Sequence, residues 1–275
     1  MKPTLLLAAP LLTAFLSLAG CATGAAVPAP WPQAIQPLLP ADLLLLGERH
    51  DAPQHQALQQ QAVAWLADRG LLAALVLEMA EQGRSTQGLP PSADEATVQA
   101  ALGWNEDLWP WQQYGPVAMA AVRSGAPVLG GNLPRNELRT AQTDFTLDAL
   151  LAPEGVERQR QAVREGHCGL LPEARVPGMA RIQVARDLRM AQTAAAAHRP
   201  GKVVLLVAGA AHVQRSVGVP VHVPDNLNTK VVIAHAGKAE TAMKFEANLL
   251  QQTPELPPDD ACALLRQRWQ APPAR

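Results

Sequence analysis

Short uninterrupted apolar runs recur along the chain at Leu43–Leu46, Leu72–Leu77, Pro127–Leu129 and Val203–Val207, and Thr229–Ala234 reads as a fifth strand. Runs of this length with no polar alternation predict strands buried on both faces. Between them lie helical spacings: Leu58, Ala62, Trp65 and Leu66 stopped by Gly70, then Pro116–Arg123, residues 154–165, and Met179–Ala197. Strands alternating with helices predict an α/β fold, a central mostly parallel sheet with helices on both faces and a helical insertion. The polar residues that close each run carry the chemistry. The first run ends in Gly47-Glu48-Arg49-His50-Asp51 and the second in Glu78-Met79. The third ends in Gly130-Gly131-Asn132-Leu133-Pro134-Arg135 and the fourth in Ala208-Gly209-Ala210-Ala211-His212. Ligands of open α/β sheets bind beyond the carboxyl ends of the strands, where all these residues are expected.

Two Gly-x-x-His segments, Gly47–His50 and Gly209–His212, therefore face one edge of the sheet together with Glu78. Two imidazoles and a carboxylate are a donor set for a divalent first-row metal ion with open positions. Arg135 is placed to hold a carboxylate in a bidentate fork. On the long helix, Gln183, Asp187 and Met190 share one face, and the arginines flanking Asp187 favour solvent, which turns Asp187 inward. The segment Gly103–Tyr114 holds three of the six tryptophans and the only tyrosine. Its rings either anchor a helical insertion or wall a slot for a flat ligand, with Trp111 in the wall and Tyr114 as its polar handle.

The N-terminus reads differently. Lys2, the apolar stretch Leu5–Leu18 and the small residues before Cys21 form a secretory signal. Leu18-Ala19-Gly20-Cys21 resembles a bacterial lipobox, which implies cleavage after residue 20, lipid on Cys21 and a membrane partner through that anchor. The alanine after Cys21 favours, by the same resemblance, the outer membrane facing the periplasm. Residues 21–40, with prolines at 28, 30, 32, 37 and 40, read as a tether, leaving 41–275 as the domain. Cys168 and Cys262 are able to pair in an oxidising compartment, provided their Cα atoms lie close enough. A net charge of −1 argues against nucleic acid as a partner.

Seven short segments carry a family resemblance over most of residues 41–220. They are Gly47-Glu48-Arg49-His50-Asp51, Leu77-Glu78-Met79, Trp111-Gln112-Gln113-Tyr114-Gly115-Pro116 and Gly131-Asn132-Leu133-Pro134-Arg135, then His167-Cys168-Gly169, Gln183-Val184-Ala185-Arg186-Asp187 and Ala208-Gly209-Ala210-Ala211-His212. In this order they resemble the ChaN-like haem-binding uptake lipoproteins, in the superfamily that includes Tiki, TraB and erythromycin-esterase proteins. The resemblance implies haem or iron handling at the envelope. Haem needs an axial ligand, an apolar slot and cations for its propionates, and the candidates are Tyr114, Trp111, His50, His212, Asp187 and Arg135. A homodimer around haem is a candidate assembly. Tiki-type relatives imply the alternative, a metal-dependent hydrolase in which His50, His212 and Glu78 hold the ion and Glu48 or Glu78 activates water. In the last motif, Ala210-Ala211 stand where a glycine-bearing version is expected.

Overall fold

The computed structural model describes residues 31–239, 241–258 and 260–270. The signal segment, Cys21 and the first part of the expected tether lie outside them. Six strands form one all-parallel sheet in the order β3-β2-β4-β1-β5-β6. They are β1 (Leu43–Glu48), β2 (Leu72–Glu81), β3 (Val128–Asn132), β4 (Val203–Gly209), β5 (Thr229–Ala236) and β6 (Leu249–Thr253). The helices are α1 (Pro53–Asp68), α2 (Glu95–Leu102), α3 (Trp111–Arg123), α4 (Leu138–Thr143), α5 (Pro153–Gly166), α6 (Val176–Ala196), α7 (Met243–Glu246) and α8 (Ala261–Gln270). Pro53 and Pro153 open their helices at the first turn, where a missing N–H costs nothing.

Alternate side chains of each central strand enter opposite cores. Leu44, Leu46, Leu75, Leu77 and Leu205 pack with Val63, Leu66, Val98, Val117 and Val122 of α1, α2 and α3. Leu43, Leu45, Val76, Val204 and Leu206 pack with Met190, Ala191 and Ala194 of α6. Each such leucine contributes roughly 1.5–3 kcal/mol on burial, and with both faces covered no polar alternation remains in the strand sequence.

Three sequence expectations change. Residues 33–38 are not tether: they form a 3-10 helix whose Ile35 is wholly buried in the core. Glu78 does not follow β2 but lies inside it, at a register shift between Leu77 and Glu81. There the Asn132 side-chain amide donates to the Glu78 carbonyl at 2.8 Å, in place of a regular ladder partner. The close approach that Gly130 permits is to backbone rather than to a ligand, since a Cβ there would sit 1.9 Å from the Glu81 carbonyl oxygen.

Cys168 and Cys262 form a disulfide with a Cα–Cα separation of 5.7 Å, tying α8 to the end of α5. No helix among the described residues is long and apolar enough to cross a membrane.

Candidate site at the carboxyl edge of the sheet

Strand β4 lies between β1 and β2, with Leu46 and Leu77 both level with Val207, so Glu48, Glu78 and Gly209 end at one height. Glu48 stands opposite Gly209 in the register. The two glycines of the Gly-x-x-His segments make room for each other's motif. A Cβ on Gly47 would meet the Val213 side chain at 2.4 Å and the Ala210 backbone at 3.0 Å, in the 3-10 turn Ala210–Val213 that carries His212. A Cβ on Gly209 would lie 2.9 Å from His50 Nε2. Ala210 and Ala211 replace glycine without strain, because Cys168 is the only described non-glycine residue with positive φ.

From these positions a line of acids and bases crosses the sheet edge. Glu48 is buried and accepts from Tyr114 Oη at 2.8 Å, Gln56 Nε2 at 2.7 Å, His50 Nδ1 at 2.9 Å and also from Gln59. Glu78 accepts from the Gly209 N–H at 2.7 Å, with His212 Nε2 at 3.4 Å and His50 Nε2 at 3.9 Å. His212 Nδ1 donates to Asp187 at 2.6 Å, and Gln159 also reaches that carboxylate. The order is Tyr114, Glu48, His50, Glu78, His212, Asp187.

Electrostatics sets the protonation of this line. Burial alone would keep His212 neutral, but the charges of Glu78 and Asp187 outweigh it and push its pKa up to about 10. Burial likewise disfavours Glu78 as an anion, yet the charge and hydrogen bond of His212, then His50 and the Gly209 N–H, bring it down to about 2. For Asp187 burial prevails over His212, raising it to about 6. His50 is raised too: desolvation opposes its proton, and Glu48 and Glu78 restore it.

The structure brings the expected metal ligands His50, His212 and Glu78 together, as a chain of ion pairs along the sheet edge. Among the described residues no group of three or more His, Cys, Asp and Glu is set to hold a metal ion.

Several residues expected at the haem are engaged within the fold. Tyr114 has no exposed surface, its phenol is committed to Glu48, and burial with that carboxylate nearby raises its pKa. Trp111 is turned into the core, where its indole N–H donates to Glu95 at 2.8 Å and its ring covers Gly115. Asp187 faces inward but is wholly buried against His212, out of reach of any ring. Trp104, Trp109, Trp111 and Tyr114 pack on one another, and Trp109 meets His50 edge-on at 4.9 Å. The aromatic segment is thus mainly a self-packed anchor for α3. Arg135 is exposed on the turn after β3, and its guanidinium makes no hydrogen bond or ion pair among the described residues. Sequence reasoning missed Gln56 and Gln59, whose signal was a pair of amides three apart on the α1 face turned to Glu48.

Beside His212 opens a half-exposed cleft of about 220 Å³ between α5, α6 and the 210–213 turn. Ala162, Val163, Gly166, His167 and Gln183 line it. Larger clefts, about 610 Å³ near Arg84 and Arg199 and about 880 Å³ beside β6, lie away from the acid–base line.

The model of the family described as haem-binding uptake, Tiki superfamily, ChaN, matches residues 34–223. ChaN of Campylobacter jejuni, whose structure describes cofacial heme binding, is similar over 80% of this chain and 90% of its own. At 24% identity and a TM-score of 0.65, that likeness shows the fold. The type III effector HopBA1 is similar over 78% of this chain and 88% of its own, at 15% identity and a TM-score of 0.42. No curated protein matches the chain.

Proposed function

Because the chain belongs to the haem-binding uptake family of the Tiki superfamily, we propose that it is a haem-binding lipoprotein of the bacterial envelope, acting in haem or iron uptake. The family match over residues 34–223 carries this reading. Haem supplies an iron with open axial positions and two propionates; the chain offers an exposed cation at Arg135, unpaired among the described residues, and a small cleft lined half by small and aliphatic groups and half by amides and histidines. A cleft of this size takes one edge of a macrocycle and leaves the rest uncovered, which favours a second copy of the chain as its other wall.

The test is a haemin titration followed by absorption. A saturable change in the Soret band at near-stoichiometric protein is expected. Arg135→Ala should weaken binding by about fivefold to tenfold, the scale of one charge-assisted hydrogen bond to an exposed partner. Unsaturable, detergent-like partition of haemin would defeat the reading.

The anchor is proposed from Cys21. Cys21→Ser should move the protein from the membrane fraction to the soluble envelope fraction, or stall its processing. Membrane association and cleavage both unchanged in that variant would refute lipidation. The second reading, a metal-dependent hydrolase, is supported by one observation: Glu48, His50, Glu78 and His212 converge at one edge of the sheet, with Glu78 lowered and His212 raised by each other's charge. It requires His212 to give up a proton to an ion. A first-row ion copurifying with the parent but not with His50→Ala would favour it over the first.

A further inference from the structure

We propose that the cleft beside β3 binds an amphipathic carboxylate of the fatty-acid kind, an apolar body carrying one acid group. It is a second site, separate from the acid–base line and from the haem reading. Small residues open it. Strand β2 begins Leu72-Ala73-Ala74-Leu75 where its neighbour β4 has Val203-Val204, and α6 closes on the run Ala194–Ala197. The register of β2 on β4 shifts between Leu72 and Ala74, an irregularity of the kind found beside ligand sites. Between sheet and helix these short side chains leave a hollow of about 610 Å³, with Ala73, Ala74, Leu129 and Gly130 in its lining. That volume suits a small organic ligand. Its outer wall is the segment after β2, which turns back along the free edge of β3. Ser85 bridges Leu129 antiparallel, the Gly130 N–H donates to the Arg84 carbonyl at 2.9 Å, and the Thr86 N–H donates to the Val128 carbonyl at 2.9 Å. The Gln82 amide donates to Thr193 Oγ1 at 3.2 Å and ties this wall to α6.

The charge of the lining has one sign. Arg84 on the wall and Arg199 beyond the end of α6 are both exposed to the cleft, and neither guanidinium makes a hydrogen bond or ion pair among the described residues. Arg84 lies against Gly103, where a Cβ would stand 2.9 Å from its Nε, so the missing side chain gives the guanidinium its seat. No carboxylate is among the described residues that line the cleft. Asp42, which meets the lining residue His198 at 3.0 Å, is already held by that ring and by the Asn228 N–H at 2.8 Å. The carbonyls at the end of α6 would repel an anion, but they are occupied. Those of Thr193 and Ala194 accept the Ala197 N–H, and that of Ala195 accepts the His198 N–H. A smaller cleft of about 160 Å³ shares Gln87, Pro127 and Arg199 and continues toward Leu89, Val122 and Ala126. Unanswered guanidinium forks select a carboxylate, and the elongated floor of alanine and leucine selects an apolar body over a bare anion.

The test equilibrates the full chain with dodecanoate carrying a photoreactive diazirine, below its micelle concentration, and maps the adducts by peptide mass spectrometry after illumination. Saturable labelling is expected in residues 73–87, 127–130 and 192–199. Unlabelled dodecanoate should suppress it, while dodecanol and inorganic phosphate, each lacking one half of the ligand's character, should do so at least tenfold less well. Arg84→Gln and Arg199→Gln, both at exposed positions, should each raise the half-saturating concentration about fivefold to tenfold. Ala196→Leu, on an exposed position of the last turn of α6, should abolish labelling with both arginines still in place. Labelling that does not saturate, or that falls mainly outside these segments, overturns the proposal. So does suppression by dodecanol or by phosphate equal to that by dodecanoate, or unchanged labelling in the double arginine variant. Haemin that suppresses the labelling as strongly as dodecanoate also overturns it, because the cleft would then belong to the haem site.

Discussion

Replacing His212 by alanine is expected to destabilise the domain by about 3–5 kcal/mol, the usual cost of removing one partner from a buried ion pair. Glu78 and Asp187 are 3% and 0% exposed, so the variant buries two carboxylates with no cation between them. Denaturant unfolding of parent and variant at neutral pH measures the loss, and a change below about 1 kcal/mol would mean that water already screens the pair. The pH dependence has a definite sign. Glu78 is depressed from 4.5 to about 2 in the fold, so its stabilisation is present above pH 4.5 and is lost as pH falls toward 2. His212 is raised from 6.5 to about 10, so its share is complete below pH 6.5 and is lost as pH climbs toward 10. Asp187, raised by burial from 3.8 to about 6, opposes the pair: its cost grows between pH 3.8 and about 6 and persists above that. The parent should therefore lose stability from this cluster on the alkaline side. The variant, with only His50 left near Glu78 to balance its buried acids, should gain as they take up protons, and the gap between the two should narrow with acidification. A constant gap from pH 5 to 9 would contradict the protonation scheme.

Opening the Cys168–Cys262 bridge should have an effect of similar size. The two residues are 94 apart in sequence, and chain-entropy reasoning for a loop of that length gives about 4–5 kcal/mol at most. Cys262→Ser and reductant should lower the unfolding midpoint equally, and reductant should add nothing to the variant. The denatured, unreduced domain should show no thiol from either residue. If reductant leaves the midpoint unmoved, α8 contributes nothing to the global stability that the bridge constrains.

The central strands are legible as apolar runs for a direct reason. Leu43–Leu46 and Val203–Val207 are covered by helices on both faces, so burial leaves no polar position to interrupt them. The edge strand β6, Leu249–Thr253, is mostly half-buried and carries two glutamines, and nothing in its sequence separates it from a loop. The pairing of the two Gly-x-x-His segments was readable from their repeated place at strand ends. The burial of Tyr114 was not, because a phenol beside tryptophans reads alike whether it faces a ligand or a carboxylate 66 residues away. The histidines show the division most clearly. Sequence alone put His50, Glu78 and His212 at one edge of a parallel sheet, since strand direction follows from the alternation of elements; the order that sets β4 between β1 and β2 came from the tertiary structure. Only the tertiary structure decided their chemistry. Asp187 from α6 and Gln159 from α5 close on His212 from the far side. A proton is held or released according to the charges and burial within a few ångströms, whatever the spacing along the chain.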